Sequence, residues 1–357
     1  MPGWAFHNII LFLRHTFKHR YDIYFDFCIY NPQKRATVQS DLGKDEGNSA
    51  GNIRYKKNVP ALRIPGIRSV AYRLIRRLNL AGRLGYDQEG KFRRVHPTGH
   101  YDSVLYLDYY MDKIADFSHI RANKTIKGIY TDGFPPKGVE MNTDITPKHF
   151  CETFLSDADA LVVGSPGIRQ IYAPVFPSVF FVNMAYDETL FSPKKTKEHK
   201  PLVLGWTGNP DREFKGYHQI IVPAVEQLRQ EGYDIELKSR FSGPFHTLPS
   251  FWHGVDVALI ASQADAGPSL FMEASLCGVP SISTRIGMPA ETIRDGENGF
   301  FCEPSVVDLK EKIMLLYHNR PLVQSMGRRI RADYMAVFGV DAQTANWETL
   351  FERILDA

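Results

Sequence analysis

Twice along this 357-residue chain, short runs of apolar and β-branched residues alternate with segments of helical period, and that alternation restricts the fold more than any other feature. The first series reads as strands at Ser103–Tyr109, Thr125–Thr131, Ala160–Gly164 and Val179–Asn183, with a helix at Lys148–Ser156. The second reads as strands at Leu202–Gly205, Asp234–Phe241, Val255–Ile260 and Ser281–Ser283, with helices at Tyr217–Gln230, Ser305–Tyr317 and Trp347–Leu355. Such βα alternation builds parallel sheets covered by helices, because joining parallel strands needs a crossover and a helix supplies it. Between the series, the charged stretch Lys194–Lys200 (KKTKEHK) has no apolar periodicity and reads as a linker. The expectation is an α/β protein with two Rossmann-like domains, residues 1–193 and 201–340, facing each other across a cleft, followed by a terminal segment 341–357.

Ahead of the first series, His7–Arg20 has an apolar side (Ile9, Ile10, Phe12, Leu13, Phe17) and a basic side (Arg14, His15, Lys18, His19, Arg20), which predicts an amphipathic helix. His15 and His19 have the spacing of a helical metal pair, but the flanking cations repel a metal and no third ligand is near. Tyr21–Tyr30 reads as a strand and 31–58 as an exposed loop. The net charge of +3 conceals an asymmetry: residues 1–100 hold 18 Lys/Arg against 7 Asp/Glu, a net of +11, which leaves −8 for the remainder. Ser69–Leu80 (SVAYRLIRRLNL) concentrates that charge in a basic amphipathic helix, with Val70, Leu74, Ile75 and Leu78 set against Arg73, Arg76 and Arg77. Its two readings are docking on an anionic membrane surface and ordinary packing on its own domain. Nucleic acid is not an expected partner, since no recognised binding motif accompanies the charge.

The start, Met-Pro-Gly-Trp-Ala-Phe-His, does not read as a signal peptide, and no window approaches the roughly 18 uninterrupted apolar residues of a spanning helix. Cys28, Cys151, Cys277 and Cys302 lie far apart, as reduced structural thiols do, and offer no zinc site. The expected location is the cytoplasm, with peripheral attachment to the inner membrane face if 69–80 docks on lipid.

The segment Asp265–Pro280 (DAGPSLFMEASLCGVP) carries the chemistry. It reads as a loop punctuated by Gly267 and Pro268, then a short helix with Ser269 as N-cap, Leu270 in its first turn and Gly278 as the left-handed residue at its end. A helix N-terminus at the carboxyl end of a parallel strand offers unpaired N–H groups to an anion. Asp265 and Glu273 bracket the loop, and Glu273 is placed one turn into the helix on the face of Ser269. A carboxylate accepts hydrogen bonds from two adjacent hydroxyls, as in a sugar or a ribose diol. After the strand Leu202–Gly205, a turn containing Gly208 leads to Arg212 and Lys215, cations suited to a diphosphate.

In these motifs the C-terminal half resembles the retaining GT-B glycosyltransferases, family 4-like (glycosyl transferases group 1). The family motif of Glu, seven residues, Glu, then Ala-x-x-Cys-Gly-x-Pro is matched here by Asp265, seven residues, Glu273 and Ala274-Ser275-Leu276-Cys277-Gly278-Val279-Pro280. Gly287–Pro304 (GMPAETIRDGENGFFCEP) and Ala185–Pro193 (AYDETLFSP) are similar to the stretches that follow the motif and end the N-terminal domain. The resemblance implies that Glu273 binds ribose, Asp265 the hydroxyls of the transferred sugar and Lys215 the diphosphate, with Arg212 carried over less directly because the family's arginine lies nearer Asn209. It also implies that the terminal helix crosses back onto the N-terminal domain. Three departures stand out. Asp265 replaces a glutamate. Thr131 stands where many relatives have a histidine before Asp132, an acceptor-side candidate. Pro2-Gly3-Trp4 reads as the glycine-bearing loop that follows a first strand, so Gly3 is acceptor-side and that strand is expected to be missing.

The resulting expectation is sugar transfer, with retention and without a metal or cofactor, from a nucleotide diphosphate sugar to a hydroxyl of a glycan or lipid-linked glycan, in surface polysaccharide or related glycan biosynthesis. Lys215, Asp265 and Glu273 form its catalytic set. The rivals are a degenerate sugar-nucleotide or glycan-binding module and a nucleotide-sugar epimerase of similar design.

Overall fold

The computed structural model describes residues 5–17, 19–21, 23, 25–26, 84–86, 92–94, 99–114, 117, 120–131, 133–136, 145–194 and 201–355. Gly3, Asp132, the stretch 69–80 and most of the expected linker lie outside the described residues. Helix α1 (Ala5–Phe17) buries Ile9, Phe12, Leu13 and Phe17, the apolar side expected of it. The expected strand at Tyr21–Tyr30 is described only as β1 (Phe25–Asp26), which joins β2 (Leu84–Tyr86) and β3 (Phe92–Arg94) in an antiparallel sheet.

Two parallel sheets follow. The first has the order β4 (Gly99–Tyr106), β5 (Ile120–Ile129), β6 (Ala160–Val163), β7 (Val179–Phe181). The second has the order β12 (Phe300–Phe301), β11 (Ser281–Ser283), β10 (Val257–Ile260), β8 (Leu202–Thr207), β9 (Ile235–Arg240). The central strands β6, β8 and β10 are almost entirely buried, because helices cover both faces of a parallel sheet. Residues two apart share a face. Ile126, Ala160 and Val162 thus join the core that takes in α1 and the C-terminal half, while Ile129, Leu161 and Val163 pack with Phe150, Phe154 and Tyr172. Beneath the first sheet, fully buried Lys127 donates to Asp157 at 2.6 Å, Asp112 at 3.1 Å and the Phe154 carbonyl at 2.9 Å. A buried ammonium persists only when paired and hydrogen-bonded in this way.

The chain closes with two helices, Arg320–Phe338 and Val340–Leu355. The last one packs against the N-terminal elements. Trp347 Nε1 donates to the Asn183 carbonyl at 2.8 Å, Asn183 N donates to Gln343 Oε1 at 2.6 Å, and the Phe351 ring meets Phe17 edge-on at 5.3 Å. Burial pushes the thiols of Cys277 and Cys302 up to about 12, so they stay protonated and inert. Among the described residues, no helix is long and apolar enough to cross a membrane.

Candidate functional site

The site is built where strand order reverses. β8 lies between β9 and β10, so successive crossovers leave in opposite directions and their loops part at the carboxyl edge. The loop after β8 ends in a 3₁₀ turn, Glu213–Lys215, closed by Gly216 at φ +68°. A Cβ on Gly216 would lie 2.5 Å from the Ala261 carbonyl, so only glycine lets this loop lie against the one after β10. Gln263 N donates to the Phe214 carbonyl at 2.9 Å, which fastens the two loops together. The result brings Lys215 Nζ onto Asp265 Oδ2 in a tight ion pair whose side chains remain partly accessible. Gly267 N donates to the other oxygen, Oδ1, at 3.3 Å. Lys215 and Asp265, which the resemblance assigns to different parts of a ligand, neutralise each other. Arg212 is exposed at the mouth of the same loop, and Gly208 N is tied to the Arg240 carbonyl at 3.1 Å, joining the β8 loop to the end of β9.

The helix that follows the β10 loop runs from Ser269 to Leu276. Its N-cap is Pro268, with no side-chain capping bond, which corrects the expectation that Ser269 caps it. Ser269 is instead the first helical residue, because the fixed φ of Pro268 (−62°) sets the extended entry one position earlier. Phe271 N donates back to the Pro268 carbonyl at 2.8 Å, and the helix begins two residues after Gly267, whose N–H meets Asp265. Gly278 does close the helix, at φ +73°.

Glu273 departs from expectation in its surroundings. The helix is buried from Leu270 through Leu276, and Glu273 is only 4% exposed. Its Oε2 accepts from Trp252 Nε1 at 2.9 Å, with Thr207 also hydrogen-bonding and the Arg240 guanidinium nearby. Burial outweighs these partners and raises its carboxyl to about 7. Glu273 therefore faces inward beneath the ends of β8 and β9, beside Thr207 and Arg240. Sequence reasoning missed Trp252, Thr207 and Arg240. Position at a strand's carboxyl end was the signal for the last two. Trp252, 21 residues upstream of its partner, carried no local signal.

The opposing carboxyl edge of the first sheet holds Asp108 after β4 and Tyr130-Thr131 after β5. Asp108 is bonded by the Tyr110 side chain and the Tyr109 backbone, and burial raises its carboxyl to about 7. Thr131 Oγ1 is buried with no hydrogen-bond partner among the described residues. Gly164 packs against Tyr130, and Asn183 Nδ2 donates to the Gly164 carbonyl at 2.7 Å. Close by, Gly167 N donates to Glu291 Oε1 of the other domain at 2.7 Å. The two carboxyl edges therefore face one another.

Solved structures share this layout. Sucrose-phosphate synthase from Thermosynechococcus elongatus superposes with a TM-score of 0.56 at 16% identity, over 72% of this chain and 74% of that one. A glycosyltransferase from Rickettsia africae gives 0.55 at 13% identity over 91% and 88%, and HepE from Anabaena, solved with UDP and glucose, gives 0.51 at 17% over 70% and 77%. The chain has the GT-B fold of these glycosyltransferases. Its residues 193–333 match the family described as glycosyl transferases group 1. In sequence, N-acetyl-alpha-D-glucosaminyl L-malate synthase from Bacillus anthracis is 29% identical over 101 residues, 28% of this chain and 26% of that protein. An uncharacterized glycosyltransferase from Methanocaldococcus jannaschii is 34% identical over 94 residues, 26% of each chain. The chain spans about a quarter of the length of these two relatives.

Proposed function

We propose that the protein transfers a sugar, with retention of configuration, from a nucleoside diphosphate sugar to a hydroxyl of a glycan or lipid-linked glycan. The observation that carries this reading is the Lys215–Asp265 pair at the opening of the Ser269 helix, inside the segment that matches the glycosyl transferases group 1 family. On donor binding, the diphosphate takes Lys215 from Asp265 and is received at the start of the Ser269 helix. Asp265 is released to accept from hydroxyls of the transferred sugar. A cation and aligned N–H groups stabilise the departing diphosphate's charge, with no divalent metal in the scheme. The leaving phosphate accepts the acceptor's proton on the same face, so no protein nucleophile is required. Glu273 orders the ends of β8 and β9 through Trp252, Thr207 and Arg240, and meets the ribose only if donor binding turns it outward. HepE's complex with UDP and glucose makes a UDP-sugar the first donor to try.

The test is a binding and turnover screen with UDP-, GDP-, ADP- and dTDP-glucose. Binding of one of them, with slow release of its sugar to water or to a glycan, is the expected result. Binding without turnover in the presence of varied acceptors would favour the degenerate-module reading. Isomerised sugar without acceptor would favour the epimerase. Membrane attachment through 69–80 is tested separately: changing Arg73, Arg76 and Arg77 to Glu is expected to abolish binding to anionic vesicles and leave donor binding intact.

A further inference from the structure

The N-terminal domain's helix Pro166–Tyr172 begins with a fully assigned set of donors. Pro166 has no N–H, and Ile168 N donates to Ser165 Oγ at 3.2 Å. Gly167 N has no intrahelical acceptor at this position, and its acceptor comes from 124 residues away: Glu291 Oε1, at 2.7 Å. Glu291 is exposed and forms no ion pair among the described residues, and its Oε1 accepts this bond. It stands on the helix Gly287–Thr292, which is locked to the donor loop. Gly287 has φ +35°, and a Cβ there would lie 2.1 Å from the Ala266 carbonyl and 2.3 Å from that of Asp265. Met288 N donates to the Ala266 carbonyl at 2.9 Å, and a Cβ on Gly267 would touch the Met288 methyl at 3.1 Å. A continuous packed path therefore runs from Asp265, through Gly287 and Met288, to Glu291 and across the cleft to Gly167.

We propose that Glu291 is a positioning residue: its carboxylate latches the N-terminal domain's Gly167 amide to the donor loop and holds the cleft closed over the bound sugar. This rests on the proposed transferase function. The latch touches neither donor nor acceptor. It acts through the Asp265 loop, so that the geometry of the loop and the closure of the cleft become one equilibrium. An open cleft admits water and separates the acceptor edge from the sugar.

Three variants test it. Glu291→Ala removes the acceptor. Gly167→Ala approaches from the other domain, since its Cβ would sit 2.3 Å from Glu291 Oε1 and displace it, at a helical position that tolerates alanine. Glu291→Gln keeps an oxygen acceptor and is the rescue. Hydrogen exchange of the peptide containing Gly167, in the ligand-free protein, is expected to rise in both alanine variants and to return toward wild type in Glu291→Gln. UDP affinity is expected to stay within about twofold, while turnover of UDP-glucose falls roughly tenfold, the worth of one charge-assisted hydrogen bond. The double alanine variant is expected to lose no more than either single one, as members of one contact do. Unchanged exchange in Glu291→Ala overturns the proposal, as does a loss of turnover matched by an equal loss of UDP affinity. If the wild-type protein turns over no nucleotide sugar, the transferase reading fails instead, and the exchange measurement still decides whether the latch exists.

Discussion

The two facing sheet edges differ in how they handle charge. Beneath the first sheet, Lys127 is sealed between Asp112 and Asp157, and the edge above it carries hydroxyls and one carboxyl, Asp108, with no cation paired to it among the described residues. The second sheet brings its cation to the edge, where Lys215 shares a partly accessible pair with Asp265 and Arg212 lies exposed beside it. A diphosphate needs accessible positive charge, whereas a neutral hydroxylated acceptor needs hydrogen-bonding groups without a strong field. The asymmetry is what the proposed transfer requires, with the donor at the charged edge and the acceptor at the edge without an accessible cation, and it separates a structural charge from an accessible one.

The sharpest way to break this contrast is to remove each lysine in turn. Lys127→Met leaves Asp112 and the Phe154 carbonyl without their buried cation and is expected to cost about 3 to 5 kcal/mol of stability. Urea denaturation monitored by fluorescence measures it, and a loss below about 1 kcal/mol would show that the cluster is not structural.

Glu273 is the next largest effect, and it is read from pH. Its carboxyl is held at about 7 in the folded chain, above its ordinary value of 4.5. The folded state therefore binds more protons between these values, so the stability contribution is full below about pH 4.5 and is lost as pH rises through about 7. The loss is about 3 kcal/mol. Glu273→Gln, neutral throughout, is expected to flatten that part of the stability profile. A variant that keeps the wild-type slope would assign the titration elsewhere.

Lys215→Ala should leave stability nearly unchanged but weaken UDP binding by about 1.5 to 3 kcal/mol, the range of one hydrogen bond to a charged group. Calorimetric titration with UDP decides this, and equal affinity in both proteins would remove the donor from this edge.

What the sequence made legible follows from how local each signal is. Strand β11 falls at Ser281–Ser283 as expected, and β10 and β8, which are buried and mostly apolar, differ from expectation by two residues at one end. The helix expected at Tyr217–Gln230 begins with a π-helical turn, Tyr217–Ile221, which preserves the apolar face and so leaves no trace in its periodicity. Lys215 and Asp265 were nominated from loop chemistry and do meet, yet 50 residues separate them and only the close approach at Gly216 makes the contact. Glu291 carries no local signal of its contact, since its partner is a backbone amide in the other domain, and backbone amides have no sequence signature.

The smallest effect belongs to Asp108, and it sharpens the contrast between the walls. Both edges hold one carboxyl at about 7, but Glu273 is sealed by Trp252, whereas Asp108 is only half-buried. The sign is the same: stability present below about pH 4 is lost as pH rises through about 7. The full shift corresponds to about 4 kcal/mol, and solvent access to this partly exposed carboxyl screens the loss to less than that of Glu273. Asp108→Asn should remove a shallow slope, where Glu273→Gln removes a steep one, and chemical denaturation at pH 5 and pH 8 compares them. If the Asp108 slope equals that of Glu273, the first edge is as closed as the second, and a hydroxylated acceptor would have no carboxyl to meet there. A shallow slope that steepens when an acceptor glycan is added would instead show the ligand covering Asp108 and completing its burial.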